Sequence, residues 1–171
     1  MPDFKISPPP TIVLLMGVAG SGKTTLGRQL ATKLHWPYYE ADDFHSAANK
    51  AKMGGGVPLT DEDRAPWLAA IRRAMDECAA QGRSAVFSCS ALKEKYRHVL
   101  GDGLPGLRLF FLSGDRDLLL QRIQGRVGHY MKPGMLDSQL AALEAPAHAL
   151  KLDISRPPAE LVAAIRQSLA I

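Results

Sequence analysis

The chain has 171 residues, 46% hydrophobic and 22% charged, a balance that suits one folded domain and excludes a largely disordered chain. Its formal charge of +4 comes without a lysine- or arginine-rich run or interleaved aromatics, so it fits anionic small ligands rather than a nucleic-acid footprint. Cys78 and Cys89 form no CxxC pair, and no early apolar run suits a signal peptide or membrane span; the expectation is a cytoplasmic protein with reduced thiols and no membrane partner.

Residues 1–10 read as a short leader ending in Pro8-Pro9-Pro10. Thr11 to Met16 is then an uninterrupted aliphatic run, the pattern of a parallel strand covered on both faces. A helix is predicted from Lys23 to Leu34. Pro37 blocks its extension and pushes Trp36 towards extended backbone. Pro37 to Glu40 is a second strand, ending in Asp42-Asp43. Residues 46–59, with Gly54-Gly55-Gly56 and Pro58, read as irregular. Thr60, with Asp63 three residues on, caps a helix to about Gln81. Ser84 to Ser88 is a third strand, Leu92 to Leu100 a short helix, Leu107 to Leu112 a fourth strand and Asp115 to about Val127 a helix. Gly128 to Gly134 reads as a loop, Ser138 to Ala145 as a helix, Ala149 to Ile154 as a fifth strand and Pro158 to Leu169 as the closing helix. Such alternation predicts an α/β fold over 1–171, a single domain built on an open, five-stranded parallel sheet flanked by helices.

Gly17-Val18-Ala19-Gly20-Ser21-Gly22-Lys23-Thr24 matches GxxxxGK[ST] between the first strand and the first helix. Glycines let successive N–H groups point inward at phosphate oxygens, and the helix presents its positive end to the same anion. Lys23 reaches the β and γ phosphates of ATP, and the Thr24 hydroxyl is placed to ligate Mg²⁺. Thr25 extends the same site. With Gly near 7% of residues and Lys, Ser and Thr at roughly 6% each, a chance match has odds of about one in two hundred.

No DxxG element occurs, Asn49-Lys50-Ala51-Lys52 lacks the aspartate that reads guanine, and the strand Ser84 to Ser88 ends without the acid of motor ATPases. A small-molecule kinase remains, since phosphoryl transfer needs only positioning and electrostatic clamps. Asp42 and Asp43 lie past the second strand, at the carboxyl edge where open α/β sheets bind ligands. A carboxylate there can accept the proton of a substrate hydroxyl, although paired aspartates also cap turns. His45 can hydrogen-bond a substrate or serve as a partly buried polar residue. Arg122 and Arg126, four apart on one helical face, can clamp phosphate charge or form a solvated stripe. Cys89-Ser90 has no base nearby in the pattern and reads as packing.

Several segments together resemble gluconokinase. They are Asp42-Asp43-Phe44-His45, Asn49, Lys52-Met53, Pro58-Leu59-Thr60-Asp61-Glu62-Asp63-Arg64 and Pro66-Trp67-Leu68. Cys89-Ser90-Ala91-Leu92-Lys93 with Tyr96-Arg97, His129-Tyr130-Met131, and Ser138-Gln139-Leu140 leading to Leu143-Glu144 continue the match along nearly the whole chain. Ala41 and Tyr130 depart from the usual glycine and phenylalanine of the family. The resemblance implies a P-loop fold of nucleoside-monophosphate-kinase type with a mobile lid at about 122–136, and often a homodimer. It implies transfer of the ATP γ-phosphate to the 6-hydroxyl of D-gluconate, the alternative being another small hydroxy acid such as shikimate or a related aldonate. Carried onto this chain, the resemblance makes Gly17 to Thr24 the ATP site, puts Arg122 and Arg126 in the lid region and makes the segment around Asp42 to Lys52 with Arg64 the acceptor pocket. Lys23, Arg126 and Asp42 are the candidate catalytic residues, with Asp43 the alternative base. Asp43, His45, Lys52, Arg64 and Lys93 offer the cations, donors and acceptors that a sugar acid requires.

Overall fold

A computed structural model describes residues 8–126 and 133–171; His129, Tyr130, Met131 and Lys132 of the expected lid lie outside them. Five parallel strands form one sheet in the order β2-β3-β1-β4-β5: β1 is Ile12–Met16, β2 Tyr38–Glu40, β3 Ala85–Ser88, β4 Leu107–Ser113 and β5 Leu150–Asp153. The helices are α1 Lys23–Leu34, α2 Ala47–Gly54, α3 Asp61–Ala80, α4 Glu94–Gly101, α5 Arg116–Gln124, α6 Pro133–Ala142 and α7 Pro158–Leu169. The sheet thus has the predicted architecture. Among the described residues no helix is long and apolar enough to cross a membrane.

β1 explains why its sequence is apolar without interruption. Val13 and Leu15 face a core shared with Leu26 and Leu30 of α1, Leu119 and Ile123 of α5, and Ile165 of α7. Ile12, Leu14 and Met16 face the other core, against Trp67, Ile71 and Met75 of α3 and Leu100 of α4. Alternate residues therefore bury on opposite faces, and each fully buried side chain is worth about 1.5–3 kcal/mol.

Three segments differ from the sequence reading. Residues expected to be irregular contain α2, because the Ser46 side chain caps it by accepting Asn49 N–H at 3.1 Å. α4 starts at Glu94 rather than Leu92, since Ala91 sits at a φ of 43° and Lys93 is extended. α6 begins at Pro133, a residue whose fixed φ suits the first helical position, and ends at Ala142. Beyond it the Glu144 N–H leaves the helix to pair with Leu92 O at 2.9 Å. By contrast α3 starts as expected: Thr60 Oγ1 accepts Asp63 N–H at 3.1 Å, and Asp63 Oδ2 accepts Thr60 N–H at 3.0 Å.

Candidate active site

The loop from Gly17 to Gly22 leaves the central strand at its carboxyl end, where connections to β2 and β3 go one way and those to β4 and β5 the other. Its path depends on small residues. Gly20 holds a φ of 79°, and a Cβ there would stand 2.8 Å from Ile123 Cγ1 and 2.9 Å from the Leu119 carbonyl. Lys23 Nζ donates to the carbonyls of Gly17 at 2.8 Å and Val18 at 3.1 Å, curling across the loop it serves. Burial lowers the Lys23 pKa, opposed by the charges of Glu40 and Asp42, while Arg126 lowers it further.

Thr24 and Glu40 form the next layer. The Thr24 hydroxyl donates to Glu40 Oε2 at 2.7 Å, and the same oxygen accepts from the Tyr38 hydroxyl at 2.6 Å. Ser88 donates to Glu40 Oε1 at 2.9 Å, and its Oγ lies 2.6 Å from the Tyr38 hydroxyl. The ends of β2 and β3 and the first turn of α1 therefore meet on one carboxylate. Among the described residues, no group of three or more His, Cys, Asp or Glu is arranged to hold a metal alone. Two oxygen donors beside a phosphate loop instead fit Mg²⁺, a hard cation normally shared with nucleotide phosphates. Thr25, one residue on, is exposed.

Arg122 approaches the same loop from α5. Its guanidinium lies 3.7 Å from the position of a Cβ on Gly22, and its Nη2 donates to the Ile154 carbonyl. Arg126 follows at the end of α5 and is exposed. Only Arg122 is on the helix that packs against Gly20; α5 ends at Gln124 with Gly125 as its cap, so Arg126 lies beyond the helix and the two do not share one helical face as expected.

Asp42 sits in a short 3₁₀ turn, Ala41–Phe44, directly after β2. Its side chain is exposed, yet partial burial by its surroundings and the charge of Glu40 raise its pKa; His45 and Lys23 pull it the other way. Asp43 is exposed beside it. His45 is buried, stacked on Trp67 with ring centroids 4.3 Å apart and 9° between planes. Burial also lowers its pKa, so a neutral ring is favoured. Trp67 Nε1 donates to the Ala41 carbonyl at 2.7 Å and so fixes the turn that presents Asp42. Asn49 lies 3.4 Å from His45 Nδ1 and donates to the Asp63 carbonyl at 2.9 Å. Phe44, Ser46, Asn49, Glu62, Pro66 and Trp67 line a cavity of about 320 Å³ next to this turn.

The remaining predicted cations lie further out, each with an internal partner. Lys52 pairs with both oxygens of Asp63 at 2.9 Å. Arg64 donates to the Leu59 carbonyl at 2.7 Å and packs over the Tyr96 ring at 5.7 Å. Lys93 stands 3.9 Å from Asp61, which also receives Lys95 and the Tyr96 hydroxyl. Burial pushes the Cys89 thiol up to about 12, so it stays protonated and is a poor nucleophile. Tyr38, Ser88 and Gln139 are site residues that sequence reasoning did not single out; their partners lie up to 120 residues away.

The shikimate kinase family model matches residues 19–147. A probable gluconokinase of Rattus norvegicus is 39% identical, with 94% of this chain and 98% of that protein covered. The gluconokinase of Gluconobacter oxydans is 46% identical over 80% of this chain and 77% of its own. Among solved structures, a gluconokinase from Sinorhizobium meliloti superposes with a TM-score of 0.81 at 38% identity, covering 96% of this chain and 98% of that one. With a phosphate loop, an acid-bearing β2 turn and these relatives together, the chain belongs to the gluconokinase family of P-loop kinases.

Proposed function

We propose that the protein transfers the γ-phosphoryl group of ATP to the 6-hydroxyl of D-gluconate, giving 6-phosphogluconate and ADP. The observation that carries this reading is the place of Asp42, in the turn directly after β2, two residues from the Glu40 that Thr24 bonds and in the turn that Trp67 fixes through the Ala41 carbonyl. Asp42 accepts the hydroxyl proton while the substrate oxygen forms its bond to the γ-phosphorus and the bond to the ADP oxygen breaks. Lys23, Arg122 and Arg126 hold the phosphate charge that builds up during that exchange. Thr24, with Glu40 behind it, would hold Mg²⁺, which supplies Lewis-acid stabilisation of the phosphate oxygens. Asp43, Lys52, Arg64 and Lys93 supply the polar surroundings of a sugar acid. We also assign a cytoplasmic location and a homodimer, the latter checked by light scattering on the purified protein.

The test is a coupled assay of ADP release across a panel of acceptors. Gluconate-dependent release that needs ATP and Mg²⁺ is expected. No release above the buffer blank, or a higher kcat/KM for shikimate, would overturn the reading. Shikimate belongs in the panel because the matching family model carries that name.

A further inference from the structure

Gln139 lies on α6, yet its Oε1 accepts the backbone N–H of Ala19, in the phosphate loop, at 2.7 Å. Five residues on, Glu144 reaches the other half of the site. Its Oε2 accepts the Glu94 N–H at 2.7 Å and so caps α4, while its own N–H donates to the Leu92 carbonyl at 2.9 Å. Its carbonyl accepts Arg97 Nη2 at 2.8 Å, and Arg97 Nη1 also donates to the carbonyls of Ala91 at 2.9 Å and Leu92 at 3.0 Å. These bonds hold Ala91 at its left-handed φ of 43°, in the segment that carries Lys93. Residues 139–144 are therefore a strap, with one end on the nucleotide loop and the other on the acceptor-side segment.

We propose that Gln139 is a positioning residue that sets the Ala19 turn of the phosphate loop, and that the 139–144 strap couples nucleotide binding to acceptor binding. The coupling half rests on the kinase reading given above. The physical basis is simple. An N–H in a phosphate loop that is held by a side chain cannot drift without moving α6. α6 cannot move without disturbing the cap on α4. Coupling of this kind acts equally in both directions, so each ligand should tighten the other.

The experiment measures calorimetric binding of a non-hydrolysable ATP analogue with Mg²⁺, with and without saturating D-gluconate, together with thermal melts. Wild type should bind the analogue more tightly when gluconate is present. Gln139→Ala should weaken analogue binding by about three- to tenfold, the range one hydrogen bond supports, and abolish the gluconate effect. Glu144→Ala should leave analogue binding alone nearly unchanged yet remove the gluconate effect, and Glu144→Gln, which keeps an acceptor oxygen, should restore it. Analogue binding by Gln139→Ala within a factor of two of wild type overturns the positioning role. A gluconate effect that survives in Glu144→Ala overturns the coupling. Should Gln139→Ala not fold, the two Glu144 variants still decide the coupling. Wild type that binds the analogue but shows no gluconate effect overturns the coupling, and turnover in the acceptor panel separates that result from failure of the kinase reading.

Discussion

The Thr24 hydroxyl donates to the Glu40 carboxylate at 2.7 Å, joining the first turn of α1 to the end of β2. In many nucleotide-binding sheets the acid beside the phosphate loop comes from the neighbouring strand. Here that strand is β3, and it ends in Ser88, which donates to Glu40 instead. The acid here stands on β2, one strand further out, and Ser88 bridges to it.

Glu40→Ala should leave the hydroxyls of Thr24, Tyr38 and Ser88 without their shared acceptor. A stability loss of about 1–3 kcal/mol is expected from those unpaired groups, read by thermal melts. Initial rates at rising Mg²⁺ should show a higher requirement for the metal and at least a tenfold lower kcat. An unchanged Mg²⁺ dependence would place Glu40 outside metal binding.

Asp42→Asn should lower kcat by about 10²- to 10⁴-fold, the usual contribution of a positioned base, with little change in the KM for ATP. The base must be ionised to act, and partial burial together with the Glu40 charge raises its pKa above the ordinary 3.8. Wild-type activity should therefore fall on acidification at a pH above the usual carboxylate range. The acid limb should vanish in the variant. A wild-type profile flat down to pH 4 would reassign the role, with Asp43 next.

Asp61 is displaced the opposite way, its pKa lowered rather than raised, and its signature is in stability rather than rate. A hydrogen bond from Lys95, then one from Tyr96, holds its pKa down to about 2, against 3.8 ordinarily. Stabilisation from its charged form is present above the ordinary value and is lost as pH falls through the lowered one. Urea unfolding of wild type and Asp61→Asn should differ above about pH 4 and converge towards pH 2. A gap that stays constant down to pH 2 would show that the cluster contributes nothing through charge.

Gly27→Ala tests the packing behind Glu40. A Cβ at Gly27 would lie 2.4 Å from Tyr38 Cε2, so the ring must shift, and with it the hydroxyl that bonds Glu40. Overpacking of this kind costs about 1–3 kcal/mol. For a chain of this length each kcal/mol lowers Tm by about 2–4 °C. Adding Tyr38→Ala should remove most of the penalty of the glycine substitution, a non-additivity that identifies the ring as the obstacle.

Much of this was legible from the sequence because it is local. The phosphate loop is eight consecutive residues, the apolar strands follow from an uninterrupted run, and the α3 capping box lies within Thr60 to Asp63. What escaped depends on distance along the chain or on competing local signals. Gly54-Gly55-Gly56 argued for a loop, but Ser46 was a usable cap signal, and Asn49 then anchors α2 to a carbonyl fourteen residues away. The Tyr38–Ser88 pair spans 50 residues and the Gln139–Ala19 bond 120, separations that no periodicity reveals. Lys52 and Lys93 fitted an acceptor pocket by charge, yet both stand beside aspartates that a linear reading had not paired with them.

The strand order carries a consequence for how such an enzyme can change. β2 and β3, on one side of the central strand, deliver Glu40, Asp42 and the segment leading to Lys93; β4 and β5, on the other, lead to Arg122 and the carbonyl it grips. The two sides are nevertheless not independent: Glu40, on β2, bonds Thr24 of the first turn of α1, and residues 139–144 bond both Ala19 and Glu94. A loop after β2 or β3 can therefore be remodelled for a different hydroxyl compound only where Glu40 and the partners of that strap are kept.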